Sequence, residues 1–354
     1  MSCLIRSRSS VWRNAVERQR VRACLMNYDT KVAVIVMLLI LGGLFWFFHK
    51  NVTIHQARLS GNDSLLTEIK KWSGVITERG AEQAYLEFKS ETAGIPDLGQ
   101  QHYIAHVFGI ALYDKQGFSG ISVCDEAFNF GCYHSFIGEV ITDQGLAVIP
   151  ELDSVCKQKF GEGDMICEHG IGHGLVGYLG YDRENLLKAL AVCDTISDIN
   201  EIGGCKNGVF MEYNRQTLVD PSGSMDSGRR LGDSDPQEPC RSLPEKYLPA
   251  CYNEQPHWWK NVFQRDFHKV GELCRQAPTS KLGDICIRSL GYSLGVNFNY
   301  DFSGIITACN AMPNQADRIL CKAEAATSFP ATLSQKKLQL CRDLPGSMQE
   351  GCAH

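Results

Sequence analysis

The sequence predicts an all-α protein: a helix–turn–helix repeat solenoid that is stapled by intra-repeat disulfides and preceded by one transmembrane helix. Three observations predict this fold class. Cysteines recur in pairs, apolar stretches with helical spacing flank these pairs, and one uncharged apolar run lies near the N-terminus. Composition is otherwise that of an ordinary globular protein.

Fourteen of the sixteen cysteines follow residue 123, and they are spaced as seven close pairs. The members of a pair are 8 to 12 residues apart, and the first cysteines of successive pairs are 32 to 47 residues apart. A period of about 34 residues is typical of helix–turn–helix repeats. The predicted disulfides are Cys124–Cys132, Cys156–Cys167, Cys193–Cys205, Cys240–Cys251, Cys274–Cys286, Cys309–Cys321 and Cys341–Cys352.

Apolar stretches with helical spacing flank the pairs. Residues 184–193 and 267–274 each end at a first cysteine, and residues 286–295 begin at a second one. Each disulfide is therefore expected to join the end of one helix to the start of the next. Closing a loop of about a dozen residues constrains the unfolded chain by roughly 3 kcal/mol. Zinc binding by the cysteines is the alternative, but it favours C-x-x-C spacing, which does not occur in the sequence.

Residues 32–48 form the uncharged apolar run. As a helix it is about 25 Å long, the short end of what crosses a bilayer. A cleaved signal peptide is the alternative interpretation. Residues 1–31 carry seven basic and two acidic residues, so the positive-inside rule places this end in the cytoplasm. The prediction is a single-pass membrane protein with the lipid bilayer as a partner and a periplasmic, lumenal or extracellular C-terminal domain, where disulfides persist.

Charge argues against one class of partner. Residues 32–354 contain 28 basic and 38 acidic residues, a net charge of −10. An acidic domain of this kind is not expected to bind nucleic acid. Basic residues concentrate instead in the N-terminal tail, where anionic lipid headgroups are the expected contact.

The organisation follows from these features. Residues 215–239 are polar and rich in Gly, Pro, Ser and Asp, and they account for the longest cysteine period. The predicted regions are a cytoplasmic basic tail (1–31), a transmembrane signal-anchor helix (32–48), a juxtamembrane stalk (49–75), N-terminal helical repeats with a histidine cluster (76–214), an exposed loop insertion (215–239) and C-terminal disulfide-stapled helical repeats (240–354).

Half of the ten histidines lie between residues 102 and 173. Four of them form two pairs with i,i+4 spacing, which places both members of a pair on one helix face. The fifth, His134, follows the second cysteine of its unit by two residues. His169, the first member of the second pair, has the same spacing from the second cysteine of its own unit. Imidazoles arranged in this way suit zinc, copper, iron or manganese. The predicted metal ligands are His102, His106, His134, His169 and His173.

Glu139 and Glu212 each follow a second cysteine by seven residues. A carboxylate beside a metal-bound water can act as a base, so both are predicted as catalytic residues. Because neighbouring helices pack about 8–10 Å apart, a site from adjacent units is favoured over one compact five-histidine site. The glycines from Gly170 to Gly180 are expected to allow close helix packing, and close approach of the backbone to a ligand is the alternative.

In its period and its paired cysteines, the sequence resembles, in general terms, the cysteine-stapled helical repeats of the Sel1-like type. That resemblance implies a protein-interaction module, with a protein or peptide bound in the groove of the solenoid. Two functions are therefore predicted: a membrane-anchored, exported metal-binding protein, with or without the activity of a metalloenzyme, or a protein-interaction scaffold without catalytic activity. Histidines that are hydrogen-bonded in a polar core, or that sense pH, are the remaining interpretations.

Overall fold

The secondary structure is helical throughout the described part of the chain. The computed structural model describes residues 63–161, 165–196, 202–216, 218, 229, 231 and 235–353. These residues contain no strand, which confirms the all-α prediction. The helices are α1 (Asp63–Arg79), α2 (Ala81–Thr92), α3 (Leu98–Gln116), α4 (Gly131–Gln144), α5 (Ile149–Phe160), α6 (Met165–Leu179), α7 (Arg183–Cys193), α8 (Gly204–Arg215), α9 (Leu248–Val262), α10 (Phe267–Arg275), α11 (Ser280–Asn297), α12 (Phe302–Asn310), α13 (Gln315–Thr327), α14 (Ser334–Arg342) and α15 (Gly346–Ala353).

Aspartate side chains cap several of these helices. Asp97 accepts a hydrogen bond of 2.7 Å from the backbone N–H of Gln100 at the start of α3. Asp266 and Asp301 do the same for α10 and α12, each within the same F-x-x-D-F sequence. Such a cap satisfies an N–H that has no partner inside the helix and is worth about 1 kcal/mol. Short polar motifs therefore fix where these helices begin.

All seven predicted disulfides are present, with Cα–Cα distances of 5.5 to 5.7 Å. The third bridge shows the pattern: Cys193 is the last residue of α7 and Cys205 is the second residue of α8. Every cysteine in these bridges except the last, Cys352, is buried. The disulfides therefore join successive helices and also form part of the core.

One row of helices carries the packing. Helices α3, α4, α6, α8, α9, α11 and α13 each pack against the next member of that order, and the remaining helices pack beside them. In addition, α3 contacts α11, so the row curves back on itself. The predicted repeat solenoid is not confirmed, because in a solenoid each repeat contacts only its neighbours. The curvature matters for function, since it turns one face of the row toward an interior.

An aromatic cluster closes the N-terminal end of the row. Trp72 of α1 lies 5.2 Å from Phe88 and 5.7 Å from Phe108 between ring centroids, and all three side chains are buried. Residues 63–75, which were assigned to the juxtamembrane stalk, therefore belong to the folded unit that begins at residue 63. Alternating apolar and charged residues concealed this, because only one face of α1 is buried.

The predicted single-pass membrane localisation is contradicted. Among the helices of the described residues, none is both long enough and apolar enough to span a bilayer. The two longest, α3 and α11, carry histidine, glutamine, lysine or arginine side chains along their length. The predicted transmembrane segment, residues 32–48, lies outside the described residues, as do the basic tail and residues 49–62 of the stalk.

The ends of the predicted exposed insertion are not exposed. Arg229 lies 3.5 Å above the ring of Trp258, and its backbone carbonyl accepts a hydrogen bond from the indole N–H of that residue. Gln237 is fully buried and donates to the carbonyl of Leu273 at 2.9 Å. Trp259 is fully buried as well. Two tryptophans of α9 thus hold the end of the insertion against the fold, while most of residues 217–234 lie outside the described residues.

Candidate metal centre

Glycines bring α3 and α4 into close contact. A Cβ atom on Gly109 would lie 2.3 Å from the carbonyl oxygen of Cys132, and one on Gly131 would lie 2.5 Å from the carbonyl oxygen of His102. Real Cβ atoms do not approach oxygen so closely, so only glycine permits this packing. The close approach places the histidine pair of α3 directly beside His134 of α4.

Three histidines on these two helices form a cluster that could hold a metal ion. One nitrogen from each of His102, His106 and His134 lies within 4.8 Å of the others. The Nε2 atoms of His102 and His106 are 3.1 Å apart. The ring of His134 lies 5.2 Å from that of His102 and 5.5 Å from that of His106. Convergence of three imidazoles is the arrangement that many transition-metal sites use.

A hydrogen bond at Nδ1 fixes the orientation of the His102 ring. Its Nδ1–H donates to the carbonyl oxygen of Phe128 at 2.8 Å. Because a carbonyl only accepts, Nδ1 carries the proton, and Nε2 keeps its lone pair in the neutral ring. Metal-ligating histidines in proteins are commonly held by a hydrogen bond of this kind at the other ring nitrogen.

Burial keeps the cluster neutral. Desolvation is the main reason that the pKa of His102 is lowered to about 4; the hydrogen bond to Phe128 opposes this shift and the charge of Arg215 adds to it. Desolvation also lowers the pKa values of His106 and His134 well below the usual range, and neighbouring histidines add to the effect. Neutral imidazole is the form that binds metal. In addition, His134 Nδ1 is buried and has no hydrogen-bond partner among the described residues.

A second glycine contact joins α6 to α8. A Cβ on Gly172 would lie 2.1 Å from the carbonyl oxygen of Cys205, and one on Gly208 would lie 1.9 Å from that of His169. The prediction that glycines of this segment allow close helix packing is therefore confirmed at Gly172. This contact places the second histidine pair against the buried polar side chains of α8.

The second pair, His169 and His173, repeats the geometry of the first. Its Nε2 atoms are 3.0 Å apart, and His173 Nδ1–H donates to Glu212 Oε2 at 2.8 Å. Glu212 is fully buried, and its other oxygen accepts from the hydroxyl of Tyr181 at 2.6 Å and from the N–H of Leu218 at 2.9 Å. A carboxylate engaged in this way orients an imidazole.

His169 has a separate chain of support. A side-chain hydrogen bond links it to Asn207, and the Asn207 amide donates to Glu254 Oε1 at 2.8 Å. Burial raises the pKa of Glu254 and lowers that of His169. Asn207 comes two residues after a second cysteine, in the same position as the two histidines, and here it holds a histidine of the preceding unit.

His134 lies between the two pairs. Its ring stacks on that of His173 with 4.9 Å between centroids, and it lies 5.1 Å from that of His169. The structure thus brings all five predicted metal-ligand histidines together, although a site from adjacent units was favoured. Neighbouring helix axes lie about 8–10 Å apart, but imidazole side chains from α3 and α6 both extend to α4, which lies between these two helices.

The two predicted catalytic carboxylates lie in different surroundings. Glu212 contacts the cluster through His173, as described above. Glu139 is half-buried on α4, five residues after His134, which is about 140° around the helix. There it is one of the charges near Tyr113, whose pKa rises to about 12 chiefly through burial. A common distance from a cysteine therefore does not give these two glutamates a common environment.

Several side chains near the cluster were not predicted as site residues. Tyr181 lies between α6 and α7, and Glu254 follows Cys251 by three residues; neither belongs to a repeated pattern. The F-x-x-D-F motif and the period of the cysteines give no signal for contacts of this kind, since they depend on how the row of helices curves.

Comparison with protein-family models, with curated proteins and with solved structures found no match to this chain. The general resemblance to Sel1-like repeats therefore carries no argument about function.

Proposed function

We propose that this protein binds a transition-metal ion through His102, His106 and His134. The observation that carries the proposal is the convergence of one nitrogen from each of these side chains within 4.8 Å. Bonds of about 2.0–2.1 Å to a shared ion set adjacent nitrogens about 3 Å apart, so His134 would move closer to the pair when the ion binds. The two nitrogens of His102 and His106 already have that separation, at 3.1 Å.

Energetics favour metal binding over a purely structural cluster. An unsatisfied polar atom in the core costs about 1–3 kcal/mol, and His134 Nδ1 is such an atom. Each neutral imidazole carries one N–H and one lone pair, and Nδ1 of His134 has no hydrogen-bond partner among the described residues. Coordination to a metal ion uses the imidazole lone pairs directly and offsets these costs.

The ligand set defines the chemistry. Three neutral imidazoles suit zinc, copper, iron or manganese better than calcium or magnesium, which prefer oxygen. Three protein ligands also leave a position for water or substrate, which is the arrangement of catalytic rather than structural zinc sites. When bound, the ion would supply Lewis-acid chemistry beside His134, whose ring stacks on that of His173, the histidine that Glu212 holds. An enzymatic activity is therefore part of this proposal.

The experiment is metal analysis of the purified chain after removal of loosely bound ions. Wild-type protein is expected to retain a stoichiometric transition metal, and His134→Ala should lower the retained metal and weaken its affinity at least tenfold by calorimetric titration. His268→Ala is the matched control, because His268 is an exposed histidine of α10. Absence of stoichiometric metal from folded wild-type protein, or equal loss in both variants, would overturn the proposal.

A further inference from the structure

The pair His169 and His173 is built in the same way as the pair His102 and His106. In both, two Nε2 atoms of i,i+4 residues face each other, at 3.0 Å and 3.1 Å. Two nitrogens on one ion with bonds of about 2.0–2.1 Å and angles of 90–109° lie about 2.9–3.3 Å apart. Each pair thus has the spacing of two neighbouring ligands of a single ion.

The second pair is held by a larger set of hydrogen bonds to neighbouring side chains than the first pair is. His173 donates its Nδ1–H to the fully buried Glu212, whose carboxylate is itself held by Tyr181 and Leu218. His169 is held by Asn207, which Glu254 holds in turn. A carboxylate behind a ligating histidine increases the basicity of the nitrogen that faces the metal. Orientation of both rings is therefore fixed by side chains outside the pair.

His134 separates the two pairs and contacts both. Its ring lies within 5.5 Å of all four other imidazoles, measured between centroids. The two pairs therefore face a common region from opposite sides of this ring. An ion bound by the first pair and His134 does not use the second pair, whose Nε2 atoms lie 3.0 Å apart on α6. A second ion would replace the hydrogen bond between these two nitrogens.

We infer that His169 and His173 bind a second transition-metal ion, so that the protein carries a two-metal centre with His134 between the ions. The inference rests on the proposed function for the first ion. Two protein nitrogens leave at least two further positions on the second ion, which suits it to hold water or an oxygen-rich substrate group. Ions on either side of one imidazole would each present open positions to the same group, so the ligand class that fits is an oxygen-rich anion.

The test is a cobalt titration of the full chain, followed by the visible absorption of bound Co²⁺ and by elemental analysis. Wild-type protein is expected to bind two equivalents per chain. The double variant H169A/H173A should bind one, and H102A/H106A should also bind one. His268→Ala, the exposed control, should retain both. Circular dichroism checks folding, and H169Q/H173Q replaces the alanine variant if that variant does not fold.

Failure of this inference and failure of the proposed function give different results. One equivalent in wild-type protein that is unaffected by H169A/H173A would overturn the second site and leave the first in place. Two equivalents that survive H169A/H173A would place the second ion elsewhere and would also overturn it. No bound cobalt in any folded protein would reject the proposed function itself. In copper-loaded protein, the inference predicts magnetic coupling between two Cu²⁺ ions by EPR, which disappears in either double variant.

Discussion

Acid is expected to destabilise the metal-free protein between about pH 6.5 and about pH 4. Burial lowers the pKa of His102 to about 4, whereas the unfolded chain has the ordinary value of about 6.5. Between these values the unfolded state binds a proton that the folded state does not. The stabilisation that depends on neutral His102 is therefore fully present above about pH 6.5 and is lost as the pH falls toward 4.

The magnitude follows from the same two values. At about 1.4 kcal/mol per pH unit, the effect of His102 alone at about pH 4 is roughly 3 kcal/mol of unfolding free energy. The pKa values of His106, His134 and His169 are lowered by burial in the same direction, so they add to the loss. The measurement is urea unfolding in the presence of a chelator at about pH 7 and about pH 4.

His102→Asn is the matched variant. Its side-chain amide keeps a donor near the carbonyl of Phe128 but does not titrate. Carboxylates titrate equally in both proteins, so the variant should lose roughly 3 kcal/mol less than wild type over this pH interval. Equal losses in the two proteins would refute the argument that the buried imidazole of His102 resists protonation.

Three substitutions test other parts of the structure. Gly208→Ala places a methyl group 1.9 Å from the carbonyl oxygen of His169, so thermal melting should show a loss of about 1–3 kcal/mol; an unchanged melting temperature would contradict the close α6–α8 contact. Replacing Cys193 and Cys205 together by serine should lower the unfolding free energy by roughly 3 kcal/mol in urea, and no measurable loss would mean that the bridge does not stabilise the fold. Glu212→Gln should weaken the binding of the second ion about 10–100-fold by calorimetry. Unchanged affinity would show that the carboxylate of Glu212 does not position the imidazole of His173.

Local features of the fold could be predicted from the sequence. Short separations such as that between Cys274 and Cys286 predict local disulfides, and apolar periodicity predicts the flanking helices α10 and α11. These signals are contained in about a dozen neighbouring residues. For the same reason the i,i+4 pairs could be predicted as neighbours on one helix face, with His134 as an equivalent residue of the unit between them.

Long-range packing could not be predicted in the same way. The contact between α3 and α11 depends on small rotations that accumulate over several helices, and no single residue specifies them. Glycines such as Gly109 and Gly208 determine how closely two helices approach, but the sequence does not say which helix each one faces. The convergence of five histidines, and the role of Glu254 behind Asn207, follow from this packing.

The uncharged apolar run at residues 32–48 was the basis of the membrane prediction, which the described helices contradict. Residues 32–48 lie outside the described residues, and no helix of the described residues is long and apolar enough to span a membrane. The amphipathic helix α1, with Trp72 in the core, begins within the region that was assigned to a stalk. Burial of a single tryptophan on one helix face is a weaker sequence signal than a run of uncharged residues, although it carries more structural information here.

The most direct measurement is an anomalous-difference map from crystals of metal-loaded protein, recorded at the absorption edge of the bound metal. The metal-centre account predicts a peak about 2.0–2.1 Å from one nitrogen each of His102, His106 and His134. A map with no peak among these three side chains, at full metal loading in solution, would contradict it.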